Sequence, residues 1–132
     1  MSRQGTGIRQ IGARLAMASV LALTALPAMA QELRLLMIEQ TGCYVCAAFN
    51  RDVAPAYEAS PEGARAPLVH ADLRGPLPEG VTLTSQPFVT PTFILIGADG
   101  TEQGRLIGYP GDDFFWPYIN EMIDAATESP TG

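Results

Sequence analysis

The chain has no lysine: all eight of its basic residues are arginines, set against 14 acidic residues for a formal net charge of −6 over 132 residues. Three of the arginines, Arg3, Arg9 and Arg14, fall in the first thirty residues, which leaves five for everything after. A chain this acidic, with no cluster of arginines, disfavours nucleic acid and anionic membrane surfaces as partners and offers no phosphate site. Histidine is nearly absent too. His70 is the only one, and is read as a strand residue with a satisfied ring; together with the cysteines it makes three ligands, one short of a structural zinc centre. The two cysteines, Cys43 and Cys46, exclude a disulfide-stapled scaffold, because the tiny loop they close removes little entropy from the unfolded chain. There is no internal repeat, no low-complexity tract, and no apolar run of the roughly 20 residues needed to span a bilayer.

What the first thirty residues do contain is the pattern of an export signal. A basic start without acids precedes an apolar stretch from Leu15 to Leu26, and Ala28-Met29-Ala30 has the small-x-small form of a cleavage site. Pro27 interrupts the stretch, which argues against a retained anchor, and no Arg-Arg pair indicates the twin-arginine route. The expectation is a cleavable signal peptide over 1–30, cut after Ala30, and one exported domain over 31–132.

Within that domain the cysteines form a C-x-x-C, Cys43-Tyr44-Val45-Cys46, just after the apolar run Leu33-Arg34-Leu35-Leu36-Met37-Ile38. A strand that delivers two cysteines at this spacing to a helix start marks a dithiol redox site. The unpaired N–H groups and positive dipole end of the helix stabilise a thiolate on the first cysteine, and the thiolate is the species that attacks disulfides. The two-residue spacer lets Cys46 reach back one turn to form a Cys43–Cys46 disulfide. In an exported protein, such a pair serves reactivity.

Periodicity predicts a strand over 33–39, apolar on both faces as a strand covered by helices on both sides would be. A helix follows from Cys43 to about Ala59, capped by Thr41 or Gly42, carrying Val45, Phe49, Val53 and Tyr57 on one face and kinked at Pro55. Ser60 to Gly63 breaks it. A second strand runs over 68–73, a Pro- and Gly-rich link or short helix over 74–88, and a buried strand over 92–96. A turn over 97–100 leads to an antiparallel strand over 101–109. An amphipathic helix over about 113–126, with Phe115, Ile119, Met122 and Ile123 as its stripe and Pro117 near its start, closes the chain. Trp116, Phe114 and Phe115 are read as seeding its packing, with docking by one exposed aromatic as the alternative.

This order, together with Cys43-Tyr44-Val45-Cys46, Thr90-Pro91-Thr92-Phe93 and Gly108, resembles the thioredoxin and glutaredoxin superfamily. The contexts Glu39-Gln40-Thr41-Gly42-Cys43, Pro76-Leu77-Pro78-Glu79-Gly80 and Gly108 to Trp116 are most similar to SoxS-type periplasmic thioredoxins of sulfur-oxidation operons. The resemblance implies a minimal thioredoxin-like α/β fold, a central mixed four-stranded sheet flanked by helices, with a right-handed crossover between its parallel strands. It implies a cis peptide bond before Pro91, so that Thr90 pairs main chain to main chain with a bound substrate. The chain departs from general thioredoxins in lacking a Trp before Cys43 and a Gly-Pro spacer, and from glutaredoxins in lacking a Pro-Tyr spacer.

The function expected is that of a periplasmic thiol-disulfide oxidoreductase without cofactor. It acts as a reductase that restores the thiol of a sulfur-carrier protein and receives electrons through a membrane thiol transporter. Thiol reduction in cytochrome c maturation, or general periplasmic disulfide exchange, is the alternative. Glu39, four residues before Cys43, is a candidate proton relay for Cys46; the plainer reading is a hydrogen-bonded carboxylate at a strand end. A non-enzymatic alternative, copper(I) held by the two thiolates, is disfavoured because Thr41 stands where copper carriers place a methionine.

Overall fold

Strand β1, Arg34–Glu39, is central because its side chains are apolar on both sides of the pleat, and only a strand with neighbours on both edges and cover on both faces can bury them. The computed structural model describes residues 32–129, with Met1 and Gly5; otherwise the segment read as a signal peptide, with its cleavage site, lies outside the described residues. Strand β2, Leu68–Asp72, pairs parallel to β1 with Met37 opposite His70 and Glu39 opposite Asp72. Strand β3, Thr92–Ile96, pairs antiparallel on the other edge of β1, and β4, Glu102–Ile107, lies antiparallel to β3. The sheet is therefore mixed and four-stranded in the order β2-β1-β3-β4, the minimal thioredoxin-like α/β arrangement.

Residues alternate between the two faces. Leu35, Met37, Phe93 and Leu95 point to one side, where α1 (Tyr44–Asp52), α2 (Ala54–Glu58) and α4 (Asp112–Glu128) cover them with Phe49, Tyr57, Phe115, Ile119 and Ile123. Phe115 is fully buried and lies 5.1 to 6.2 Å, centroid to centroid, from Phe49, Phe93, Tyr109, Tyr57 and Trp116. Leu36, Ile38, Ala71, Ile94 and Ile96 point the other way, and among the described residues no helix meets them. The link between β2 and β3 closes that face with Leu73, Leu77, Val81 and Leu83. This corrects the expectation of helices on both sides of β1: a double-faced apolar strand requires cover, and an irregular segment with well-spaced aliphatics supplies it.

The helix expected over 43–59 is two helices. Pro55 has no N–H to offer the carbonyl of Arg51, and the chain turns at Val53 before α2 begins with Pro55 in its first turn. Ser60 opens a third short helix, α3 (Pro61–Arg65), by accepting the Gly63 N–H at 3.0 Å, where a break was expected. The buried Tyr57 hydroxyl then donates to the Ala66 carbonyl at 2.7 Å. Burial raises the Tyr57 pKa, so the ring stays a neutral donor. Helix α4 runs through Pro117 in its interior and starts at Asp112 after Gly111, whose φ of +94° suits glycine.

The link face is held by polar contacts. Between Leu95 and Ile96 the β3–β4 register shifts by a bulge, which brings Glu102 opposite Ile96 while Arg105 stays opposite Ile94. Both side chains thereby share one face. Arg105 donates to Glu102 at 2.6 and 2.7 Å and to the Ser85 carbonyl at 2.9 Å; Glu102 also accepts the Thr84 N–H at 2.9 Å. The hydrogen bonds from Arg105 hold the Glu102 carboxyl below the usual carboxylate range. Thr82 bridges to Thr101, and Gly100 lies so close to Gly80 that a Cβ there would sit 1.8 Å from the Gly80 oxygen.

Candidate active site

The turn after β1 brings the cysteines to the helix. Gly42 takes a φ of +86°, and the Cys43 N–H donates back to the Gln40 carbonyl at 3.2 Å. Cys43 itself is the N-cap of α1, in place of the expected Thr41 or Gly42: its backbone is extended and its Sγ accepts the Cys46 N–H at 3.2 Å. A sulfur in the cap position faces the unpaired N–H groups of the first turn, where a negative charge is favoured, and no acidic residue lies in that turn to oppose it. Cys43 and Cys46 are joined in a disulfide with their Cα atoms 5.3 Å apart. Cys43 is partly exposed, whereas Cys46 is 2% exposed within the helical-face core. Tyr44, between them, is 84% exposed.

The loop before β3 supplies the facing part. The Thr90–Pro91 peptide bond is cis. Thr92 Oγ1 donates to the Val89 carbonyl at 2.7 Å, and the Gly108 N–H donates to the Pro91 carbonyl at 2.8 Å, so β4 secures the loop as well. Among the described residues the Thr90 N–H and C=O have no hydrogen-bond partner. The Thr90 hydroxyl accepts from the Gln40 amide at 3.1 Å, which joins this loop to the cysteine turn across 50 residues of sequence. The structure thus brings Cys43, Cys46, Thr90 and Pro91 to one end of the sheet.

Glu39 ends β1 on the helical face. One carboxylate oxygen accepts from Asn50 Nδ2 at 2.8 Å, and the other lies 3.1 Å from His70 Nδ1. Asn50 is one turn beyond Cys46 on α1, so Glu39 is tied to the turn next to the one that carries the second sulfur. The Asn50 Oδ1 is buried and has no hydrogen-bond partner among the described residues. Phe115 is core, Trp116 stacks on Tyr57 at 5.9 Å, and Phe114 is 69% exposed. Sequence reasoning missed Asn50 as the partner of Glu39 and Gln40 as the connector. Asn50 carried a signal in its helical spacing from Cys46; the Gln40 contact carried none.

Among solved structures, the chain is similar to the reduced form of the periplasmic thioredoxin SoxS from Paracoccus pantotrophus, with 48% identity and a TM-score of 0.69 over 72% of this chain and 99% of that one. The N-terminal domain of PilB from Neisseria gonorrhoeae shares 13% identity with a TM-score of 0.48, over 74% of this chain and 83% of that one. No protein-family model matches the chain, and no curated protein matches it.

Proposed function

The chain belongs to the thioredoxin-like family of SoxS and is a thiol-disulfide oxidoreductase, and on that premise we propose that it is a periplasmic reductase restoring the active thiol of a sulfur-carrier protein. The observation that carries this reading is the capping position of Cys43, opposite a loop whose Thr90 backbone has no partner among the described residues.

In this reading Cys43 is the nucleophile. Its thiolate attacks one sulfur of the partner's disulfide; the Cys43–partner bond forms as the partner's S–S bond breaks, and the departing thiolate takes up a proton. Cys46, deprotonated, then attacks the Cys43 sulfur. The Cys43–Cys46 bond forms, the second partner thiol leaves, and two electrons have passed to the partner. Thr90 pairs through its backbone with an extended substrate segment beside Pro91, as in strand addition. We assign relay of the Cys46 proton to Glu39, supported by its hydrogen bond to Asn50 one turn along α1 from Cys46. Renewed reduction of Cys43–Cys46 falls to a membrane thiol transporter. Export follows from the 1–30 segment, and the mature chain starts at Gln31.

The test is a Cys46→Ser variant expressed in the native host and purified without reductant. It should accumulate mixed disulfides through Cys43 that contain the sulfur carrier, while Cys43→Ser should trap nothing. Capture of cytochrome c or its maturation factors in place of the carrier would move the protein to haem-thiol reduction with the dithiol chemistry intact. Trapping through Cys46 would reverse the roles of the sulfurs.

A further inference from the structure

We propose that Gln40 is a positioning residue that sets the Thr90 backbone against Cys43 for an extended substrate; this rests on the reading of Thr90 as the substrate-pairing residue. Gln40 is the first residue after β1, a strand held on both edges by β2 and β3, so its main chain starts from a fixed base. It faces both halves of the site at once. Its carbonyl accepts the Cys43 N–H at 3.2 Å and its side-chain amide donates to the Thr90 hydroxyl at 3.1 Å.

The residues around Thr90 are anchored by other groups, Val89 by Thr92 and Pro91 by Gly108. Thr90 itself has a free backbone N–H and C=O among the described residues, and the Gln40 amide is the partner recorded for its side chain there. Pairing with a substrate strand requires that these backbone groups and the attacking sulfur keep one relative placement. The Gln40 bond supplies it before the substrate arrives, which lowers the ordering cost of binding. Among the described residues the amide makes no hydrogen bond to either sulfur, so it acts on engagement of the substrate and not on the exchange of bonds.

The experiment follows single-turnover oxidation of pre-reduced protein by a short peptide carrying a disulfide in an extended segment. The small aromatic disulfide 5,5′-dithiobis(2-nitrobenzoate), which has no backbone to pair, serves as the comparison. Gln40→Ala should raise the peptide concentration at half-maximal rate about fivefold, the loss of one hydrogen bond, and move the limiting rate far less. Thr90→Val should raise it by a similar factor, Thr90→Ser should restore it, and the Gln40→Ala/Thr90→Val pair should be no worse than either single change. Equal effects on peptide and aromatic disulfide, or additive effects in the double variant, would overturn the proposal, since both describe a structural defect without coupling between the two residues. Failure of the unaltered reduced protein to react with the peptide would sink the reductase reading itself, and this inference with it.

Discussion

The two faces of the sheet are built differently, and each carries one half of the site. The helical face is aromatic, with Phe49, Phe93 and Phe115 fully buried, and Cys46 is part of that cluster. The link face is aliphatic, covered by half-buried side chains on an irregular segment that is strapped to β4 by the Glu102–Arg105 pair. The segment runs from that strap directly into Thr90 and Pro91. On the proposed reading, chemistry is mounted on packed helices, where geometry is stiff, and recognition on a strapped loop, where fewer apolar contacts oppose local opening.

The comparison breaks first at Phe115. Phe115→Ala removes the ring that touches five other aromatics, and should lower unfolding free energy by about 4 kcal/mol in denaturant titration. Alkylation of the reduced cysteines should then lose its preference for Cys43, because the packing that buries Cys46 loosens. If the cost is no greater than that of a link residue, the two faces are equivalent and the distinction fails.

The strap gives the next largest effect. Glu102→Gln leaves Arg105, whose side chain is 17% exposed, without its carboxylate, and should cost about 2 kcal/mol at neutral pH. The Glu102 pKa is lowered in the folded state. Its contribution is therefore complete above the unfolded-chain value of about 4.3 and is lost as pH falls through the lower folded value. Urea titrations of both proteins at stepped pH should converge in acid; a constant difference down to the acid limit would show that the charge of Glu102 is irrelevant to the strap.

Leu83→Ala sharpens the contrast from the weak side. Leu83 is half-buried against the cluster of Leu36, Ile38, Ala71, Ile94 and Ile96, so its truncation should cost only about 1 kcal/mol. Hydrogen exchange should speed in the 77–90 amides and not in α1. Faster exchange throughout α1 would mean that the faces unfold as one unit.

The dithiol, β1, β3 and the α4 stripe were legible because each is a local pattern: a fixed spacing of cysteines, a run of apolar residues, a helical period ending in Phe115, Ile119 and Ile123. Local chemistry also misled. Thr41 and Gly42 have the composition of caps, yet Cys43 caps α1, because the positive φ of Gly42 turns the chain one residue later. The Pro55 signal was correct as to its lost hydrogen bond, but at Val53 the result is a division into two helices. Ser60 and Pro61, read as a break, begin α3, since a capping hydroxyl and a first-turn proline start a helix as readily as they end one.

The sequence by itself determined that two thiols stand at a helix start after a central strand, because the residues involved are neighbours and their spacing is the chemistry. Only the tertiary structure decided which distant side chains meet. Thr90 meets Gln40, Glu39 meets Asn50 and His70, and Arg105 straps Ser85. These contacts join residues 11 to 50 positions apart. They depend on strand order, on a bulge that turns Glu102 to the side of Arg105, and on the face to which each side chain alternates. No window of sequence contains those three facts, because strand pairing and register arise only when distant segments bury their apolar faces together.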